Sequence, residues 1–277
     1  MNDEAITVPP SSAPRDAVFF LTMGGIASSF VLLIGLMLLA DVWFVSWVDF
    51  QNVLTKPEIR ASFELTMLTC TVSAVWSLWV ATPLAYLLSR YRFPGRWLVD
   101  AIVDIPIVLP PLVLGLSLLI LFHLKIGSWQ LDAWLREWLG VEIAFRWPAV
   151  VLAQFAVSCA FAVRTMRVTF DQINPRAEQV ARTLGCSRAQ AFLKVALPQS
   201  WRGMITAGTI AWSRALGEFG PIMVFAGTTR MKTEVLSTSV FLELSIGELN
   251  AAVAISLVMV AIATLVLIVL RLVGVDR

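Results

Sequence analysis

The residues best suited to chemistry stand inside long apolar runs. Arg214 and Glu218 are four residues apart in WSRALGEFGP, on one side of a helix. A charge near a bilayer centre costs at least ~2.5–3.5 kcal/mol on insertion scales, so each needs a partner. The pair either satisfies itself, a purely structural role, or sets Arg214 beside a passage and biases it toward anions. Asp104 lies in IVDIPIVLPPLVLG, followed by Pro106, Pro110, Pro111 and Gly115. Pro110 and Pro111 each remove a backbone donor and predict a break or kink there. Irregular backbone at membrane depth is tolerated only against protein or a water-filled cavity, and its freed amides would suit an anion.

Two stripes of hydroxyls and small residues run at helical spacing. One is Thr66, Thr69, Ser73 and Ser77; the other is Thr206, Thr209, Ser213, Gly217 and Gly220. Small residues let membrane helices approach closely and hydroxyls bond across the contact, so packing alone accounts for such stripes. A polar, water-accessible path is the second reading. No nucleophile–base motif, Gly-rich phosphate loop or HExxH occurs, and no metal-type spacing. His123 stands without a second His or Cys, and reads as an interfacial residue. Cys70, Cys159 and Cys186 are isolated and read as small packed residues.

These residues sit in a chain of 277 residues, 58% hydrophobic, 14% charged, with mean hydropathy +0.80. Such a chain cannot hide its apolar surface in one core and belongs in a membrane. Its net charge of +2, with no basic patch interleaved with aromatics, points to no nucleic-acid partner. Runs long enough to cross a bilayer fall at roughly 17–44, 62–89, 98–124, 147–166, 201–227 and 249–273. Residues 1–16 are polar and proline-containing and read as a disordered cytoplasmic tail; residues 17–277 read as one six-helix domain. With the N-terminus inside, the inner segments hold thirteen Lys and Arg against seven outside. That excess puts both termini and the segment 167–200 in the cytoplasm. Trp129, Leu131, Trp134, Leu135, Trp138 and Leu139 form an apolar stripe at helical spacing, read as a short helix in the outer interface.

Segment 167–200 contains the one long polar interruption, NPRAEQVARTLGCSRAQAFLKVALP, Asn174 to Pro198. Asn174 suits an N-cap and Pro175 the first helical position. Ala177, Val180, Ala181 and Leu184 give one apolar face, and Gly185 follows where a C′ residue takes positive φ. Ser187 to Gln190 has the capping-box pattern, opening a second helix expected to stop before Pro198. Two short helices joined by a glycine read either as a docking plug or as an interfacial amphipathic pair.

The segment resembles the cytoplasmic EAA loop of ABC-importer permeases, E-A-A-x3-G-x9-I-x-L-P. Ala181, Gly185 and Val195-x-Leu197-Pro198 fit it. Gln179 stands for the glutamate and Val180 for the first alanine, with Glu178 one residue early. IPIVLPPLVLGLSLL and SRALGEFGPIMVFAG resemble segments of molybdate/tungstate and sulfate permeases. The likeness runs from about Ser62 to the C-terminus. It implies an all-α integral membrane fold of six transmembrane helices, the type I importer permease. It implies no enzyme activity, no cofactor on this chain, and ATP and magnesium on partner subunits. Implied partners are a second copy of the chain, two cytoplasmic ATPase subunits, an extracytoplasmic binding protein and the bilayer of a bacterial or archaeal inner membrane. The implied cargo is a tetrahedral oxyanion, molybdate or tungstate first, sulfate or another small solute second. The residues themselves leave open a paralogous partner, and a membrane assembly subunit is the non-transporter alternative. Expected coupling residues are Glu178, Gln179, Ala181, Gly185, Leu197 and Pro198. Expected path residues are Thr66, Thr69, Ser73, Asp104, Pro110, Pro111, Thr209, Ser213, Arg214 and Glu218.

Overall fold

A computed structural model describes residues 13–126, 129–140 and 142–274 of the chain. Of the expected tail, residues 1–12 lie outside the described residues, and 13–16 already belong to the first helix. The chain divides into two compact units, Met1–Ser46 and Trp47–Arg277. The first unit is the helix α1, Ala13–Phe44, apolar on all sides, as a lipid-facing span must be.

The second unit opens with α2 (Trp47–Thr55) and α3 (Pro57–Arg90). Then come α4 (Arg96–Val108) and α5 (Pro111–His123), a two-residue antiparallel pair of strands (Lys125–Ile126 with Trp129–Gln130), and α6 (Leu131–Leu139). The Trp-rich stripe is therefore helical from Leu131, with the Trp134 and Trp138 rings 5.9 Å apart, while Trp129 falls in a strand. Next are α7 (Trp147–Gln172), α8 (Arg176–Thr183) and α9 (Arg188–Ala191). A π-turn over Phe192–Ala196 leads to α10 (Leu197–Gln199) and α11 (Trp201–Leu216). Last are α12 (Gly220–Phe225), α13 (Leu236–Ser245) and α14 (Leu249–Gly274).

Four described helices are long and apolar enough to cross a membrane: Val18–Phe44, Pro57–Arg90, Trp147–Gln172 and Leu249–Ile268. The third expected span differs. It is α4 and α5, meeting at 115°. Pro110 cannot donate to the helix, and a proline disfavours helical backbone in the residue before it; Leu109 accordingly sits at φ −64°, ψ 138°. The fifth expected span is also divided. Residue Leu216 ends α11, and α12 restarts at Gly220 with Pro221 in its first turn. The two breaks touch. A Cβ on Gly115 would stand 2.7 Å from Pro221 Cα, and one on Gly220 would stand 2.9 Å from Pro111 Cβ. Each glycine thus makes room for the proline of the opposite helix.

The core is the seam of α3 and α7, with α11 packed on both. Fully buried alanines at 81, 85, 149, 153, 162, 207 and 211 set the spacing. Phe122, Ile222 and Phe225 fill a second cluster under α6 and the start of α7.

Beyond α12 the chain carries two buried carboxylates. Glu243 is met by Arg230 at 3.0 Å and Lys56 at 3.5 Å. Glu234, 2% exposed, accepts a hydrogen bond of 2.8 Å from Ser239 Oγ. Burial pushes the Glu234 pKa up; Ser239 and Arg230 pull it back, and Glu243 adds to the rise.

Two outcomes are expected for the purified protein in detergent. Gly115→Ala overpacks the α5–α12 contact and lowers stability by ~1–3 kcal/mol, read as a lower unfolding temperature. Gly24→Ala, with nothing within 4 Å of the added carbon, does not. For Glu234 the folded pKa exceeds the unfolded one. Its burial penalty therefore acts at neutral pH and is relieved as pH falls through the folded value. Glu234→Gln accordingly raises the unfolding temperature at pH 7, and the difference shrinks toward about pH 4.3, the ordinary glutamate value.

Candidate functional site

The loop from Asn174 folds as its residue types dictate. Asn174 Oδ1 accepts the Arg176 N–H at 3.0 Å, capping α8. At the other end Gly185 takes φ +93°. Its N–H reaches the Arg182 carbonyl and the Cys186 N–H the Ala181 carbonyl, both at 3.1 Å, a Schellman closure. Ser187 and Gln190 exchange the two bonds of a capping box, at 3.2 and 2.9 Å.

The second helix does not stop before Pro198. Its register slips instead: the Leu197 N–H bonds the Phe192 carbonyl five residues back, and helix resumes with Pro198 in the first turn of α10. A proline in the first turn leaves no intrahelical donor missing. The wide turn therefore lets the chain carry helix up to α11, which starts after Ser200.

The facing of α8 also departs from expectation. Val180 and Leu184, on the apolar face, are 57% and 81% exposed. The residue that turns inward is Glu178, 7% exposed. Tyr86 Oη donates to Glu178 Oε2 at 2.6 Å and Arg90 Nε to Oε1 at 2.9 Å; Arg90 Nη2 also donates to the Ile173 carbonyl at 2.9 Å. Tyr86 lies 4.5 Å from the Phe192 ring and 5.4 Å from Phe170, so both short helices close on the last turns of α3. Glu178 is an internal clasp between α8 and α3. Gln179, Gly185 and Pro198 are exposed, and Ala181 and Leu197 half-buried. A cleft of about 140 Å³ remains between the end of α3 and the loop, lined among others by Tyr91, Gln179, Arg182 and Arg188.

The expected path residues divide into two groups. Thr66, Thr69 and Ser73 are buried inside the protomer. Thr66 Oγ1 donates to the Ser62 carbonyl at 2.5 Å and accepts the Leu236 N–H at 2.9 Å. Ser73 Oγ lies 3.0 Å from the Val151 carbonyl and 3.2 Å from Gln154 Oε1, and Ser77 bonds Ser158 at 3.1 Å. Ser73 and Ser77 thus serve the seam with α7 and Thr66 the start of α13, while Thr69 bonds its own helix at Thr66. Thr209 is buried and donates to the Ile205 carbonyl of its own helix at 2.7 Å; Ser213 is half-buried. Arg214 Nη1 lies 2.7 Å from Glu218 Oε2, with Glu218 1% exposed and Arg214 stacked 5.7 Å over Phe161. The two groups are in contact, while the buried Glu218 Oε2 has no well-aligned hydrogen bond. Pro110 is exposed and Pro111 is pressed against Gly220.

Asp104 is not alone. Arg164 reaches it twice, at 3.1 Å, and Arg167 reaches Asp100 at 2.6 Å. Two pairs thus lace α4 to α7. Sequence reading missed them, although Asp100 and Asp104 at i, i+4 facing Arg164 and Arg167 at i, i+3 were the available signal. Among the described residues no group of His, Cys, Asp and Glu is placed to hold a metal.

Comparison with known proteins gives one family. The family model described as "Binding-protein-dependent transport system inner membrane component" matches residues 73–275. The sulfate transport system permease protein CysT of Escherichia coli is 34% identical over 226 residues, 80% of this chain and 79% of that one. The molybdenum transport system permease protein ModB of Mycobacterium tuberculosis is 32% identical over 260 residues, 93% and 94% of the two chains. Among solved structures, a bacterial ABC transporter involved in the import of alginate has TM-score 0.73 at 18% identity, covering 95% and 98%. The last likeness is one of fold.

The clasp is testable. Glu178→Ala strands Arg90, whose side chain is 11% exposed, and costs about 3–5 kcal/mol. Adding Arg90→Ala recovers part of that loss, so a double-mutant cycle on unfolding temperature is strongly non-additive. Additivity would show that the two side chains do not act as a pair.

Proposed function

Because the chain belongs to the family of binding-protein-dependent transport system inner membrane components, we propose that it is the permease through which a tetrahedral oxyanion crosses the membrane. Molybdate or tungstate is the first choice and sulfate the second. The observation carrying the substrate class is that relatives across most of the chain are a sulfate and a molybdenum transport system permease; sulfate and molybdate ions are both tetrahedral dianions.

The path runs between two copies of the chain. Ser73 and Ser77 of α3 are engaged with α7, Thr66 with α13 and Thr69 with its own helix, and all four are buried, which leaves no polar stripe there to line a passage within one copy. A second copy would close a passage against an open face, for which Asp104 and Arg164 at the α4–α7 edge are half-exposed and exposed candidates. Arg214, one-third exposed, would add positive charge beside it.

Two cytoplasmic ATPase subunits dock on the α8–α9 loops and carry the ATP and magnesium; an extracytoplasmic binding protein delivers the anion. The excess of Lys and Arg supports placing both termini and this loop inside. Closure of the ATPases moves the loop. The Glu178 clasp passes that movement to the end of α3, and the helix resumed after the π-turn passes it to α11.

The test is ATPase activity of the chain with its ATP-binding subunit in liposomes. Molybdate, tungstate and sulfate are each supplied on a matching binding protein. One oxyanion is expected to stimulate turnover, and Gly185→Asp to abolish the stimulation, since Gly185 holds positive φ that a side chain resists. Stimulation by none of the three overturns the substrate class.

A further inference from the structure

The charged side chains exposed on the docking loop are all cationic. Between Asn174 and Trp201 the chain has one carboxylate, Glu178, and the clasp with Tyr86 and Arg90 buries it. Arg176, Arg182, Arg188 and Lys194 are exposed, and none of their side chains forms an ion pair among the described residues. Outside the loop Arg60 and Arg92 also hold no carboxylate among the described residues, but most arginines do. Eight arginines elsewhere, at 90, 96, 136, 146, 164, 167, 214 and 230, each hold a carboxylate.

Two of the unpaired cations share a cavity. Arg182 and Arg188 both line the cleft of about 140 Å³ beside Tyr91, and Arg188 lies 6.0 Å over the Tyr91 ring. Glu178 and Arg90 also line the cleft, but Tyr86 and Arg90 occupy the two Glu178 oxygens, and Gln179 on the same wall is neutral. Guanidinium presents a planar fork matched to carboxylate.

We propose that this cleft is a carboxylate socket: an aspartate or glutamate of the ATPase partner seats between Arg182 and Arg188. Docking polarity is therefore basic on this chain and acidic on the ATPase, around the exposed Val180, Leu184 and Leu193. The assignment rests on the docking reading above and adds the chemistry of the partner's surface. A concave cleft of side-chain size fits one inserted carboxylate better than the flat front of a headgroup layer.

The experiment measures ATPase-subunit affinity for the full chain in nanodiscs. Arg182→Glu/Arg188→Glu is expected to weaken binding by at least about tenfold, and wild-type affinity to fall steeply as salt rises. Arg182→Lys/Arg188→Lys should retain most of the affinity. Because both side chains are exposed, the unfolding temperature stays unchanged, which separates lost docking from lost folding. Reversing the matching ATPase carboxylate to lysine restores binding to the double reversal. Wild-type binding that is indifferent to salt and to both reversals overturns the socket and leaves docking intact. No binding by the wild type overturns docking and socket together. An effect present in phosphatidylglycerol nanodiscs and absent in phosphatidylcholine assigns the arginines to lipid, and overturns the socket as well.

Discussion

The close approach of α3 and α7 is the constraint on which the rest of the second unit depends. Lipid tails offer two helices no hydrophobic reason to meet, so the contact must come from small residues and hydroxyls. Alanines at 81, 85, 153 and 162 bring the backbones together, while Ser73, Ser77, Gln154 and Ser158 bond across. Gln154 extends the seam by donating to the Ala215 carbonyl of α11 at 3.2 Å. Thr66 extends it again, satisfying the first N–H of α13. At the far end of α3, Tyr86 and Arg90 hold the loop. One helix pair thus positions both the membrane elements and the loop from Asn174 to Pro198.

How far the sequence spoke depended on the range of the interaction. The Ser187–Gln190 capping box and the Gly185 turn are local and were legible; helix ends were less so, α7 running to Gln172 past its expected end at 166 and the fifth expected span ending a first helix at Leu216. Pro110 and Pro111 announced a break, but neither its bend of 115° nor its contact with Gly220 and Pro221, a hundred residues away, could be read from them. The helical period revealed that α8 has an apolar side without revealing which side meets the bundle. Glu178 decided that, through partners 88 and 92 positions distant. The hydroxyl stripe on α3 was equally ambiguous. A seam and a water path demand the same residue types, and only the facing helix, with Ser158 and Gln154 at matching height, separates them.

The loop joins two kinds of attachment. Apolar packing of Phe192 and the buried Ala196 anchors its second helix, and an ion pair with a phenol anchors its first. The apolar contact tolerates sliding, whereas the ion pair is directional and breaks or holds. Movement applied at the loop thus reaches α3 at a defined point and α11 along continuous backbone. On the other side, α4 is held to α7 by Asp100 and Asp104 and lays the half-buried Val99 and Val103 against the core, with no fully buried residue of its own.

The reciprocal fit of Gly115 with Pro221 and of Gly220 with Pro111 also bears on how the sequence can drift. Gly115 is small because the Pro221 backbone lies against it, and Gly220 because Pro111 Cβ and the Leu112 backbone do. These contacts are with backbone and Cβ, so exchanging either proline for another side chain leaves the crowding in place. The two glycines are therefore held by the course of the opposite chain: a lineage that gives either one a side chain must first draw the two breaks apart.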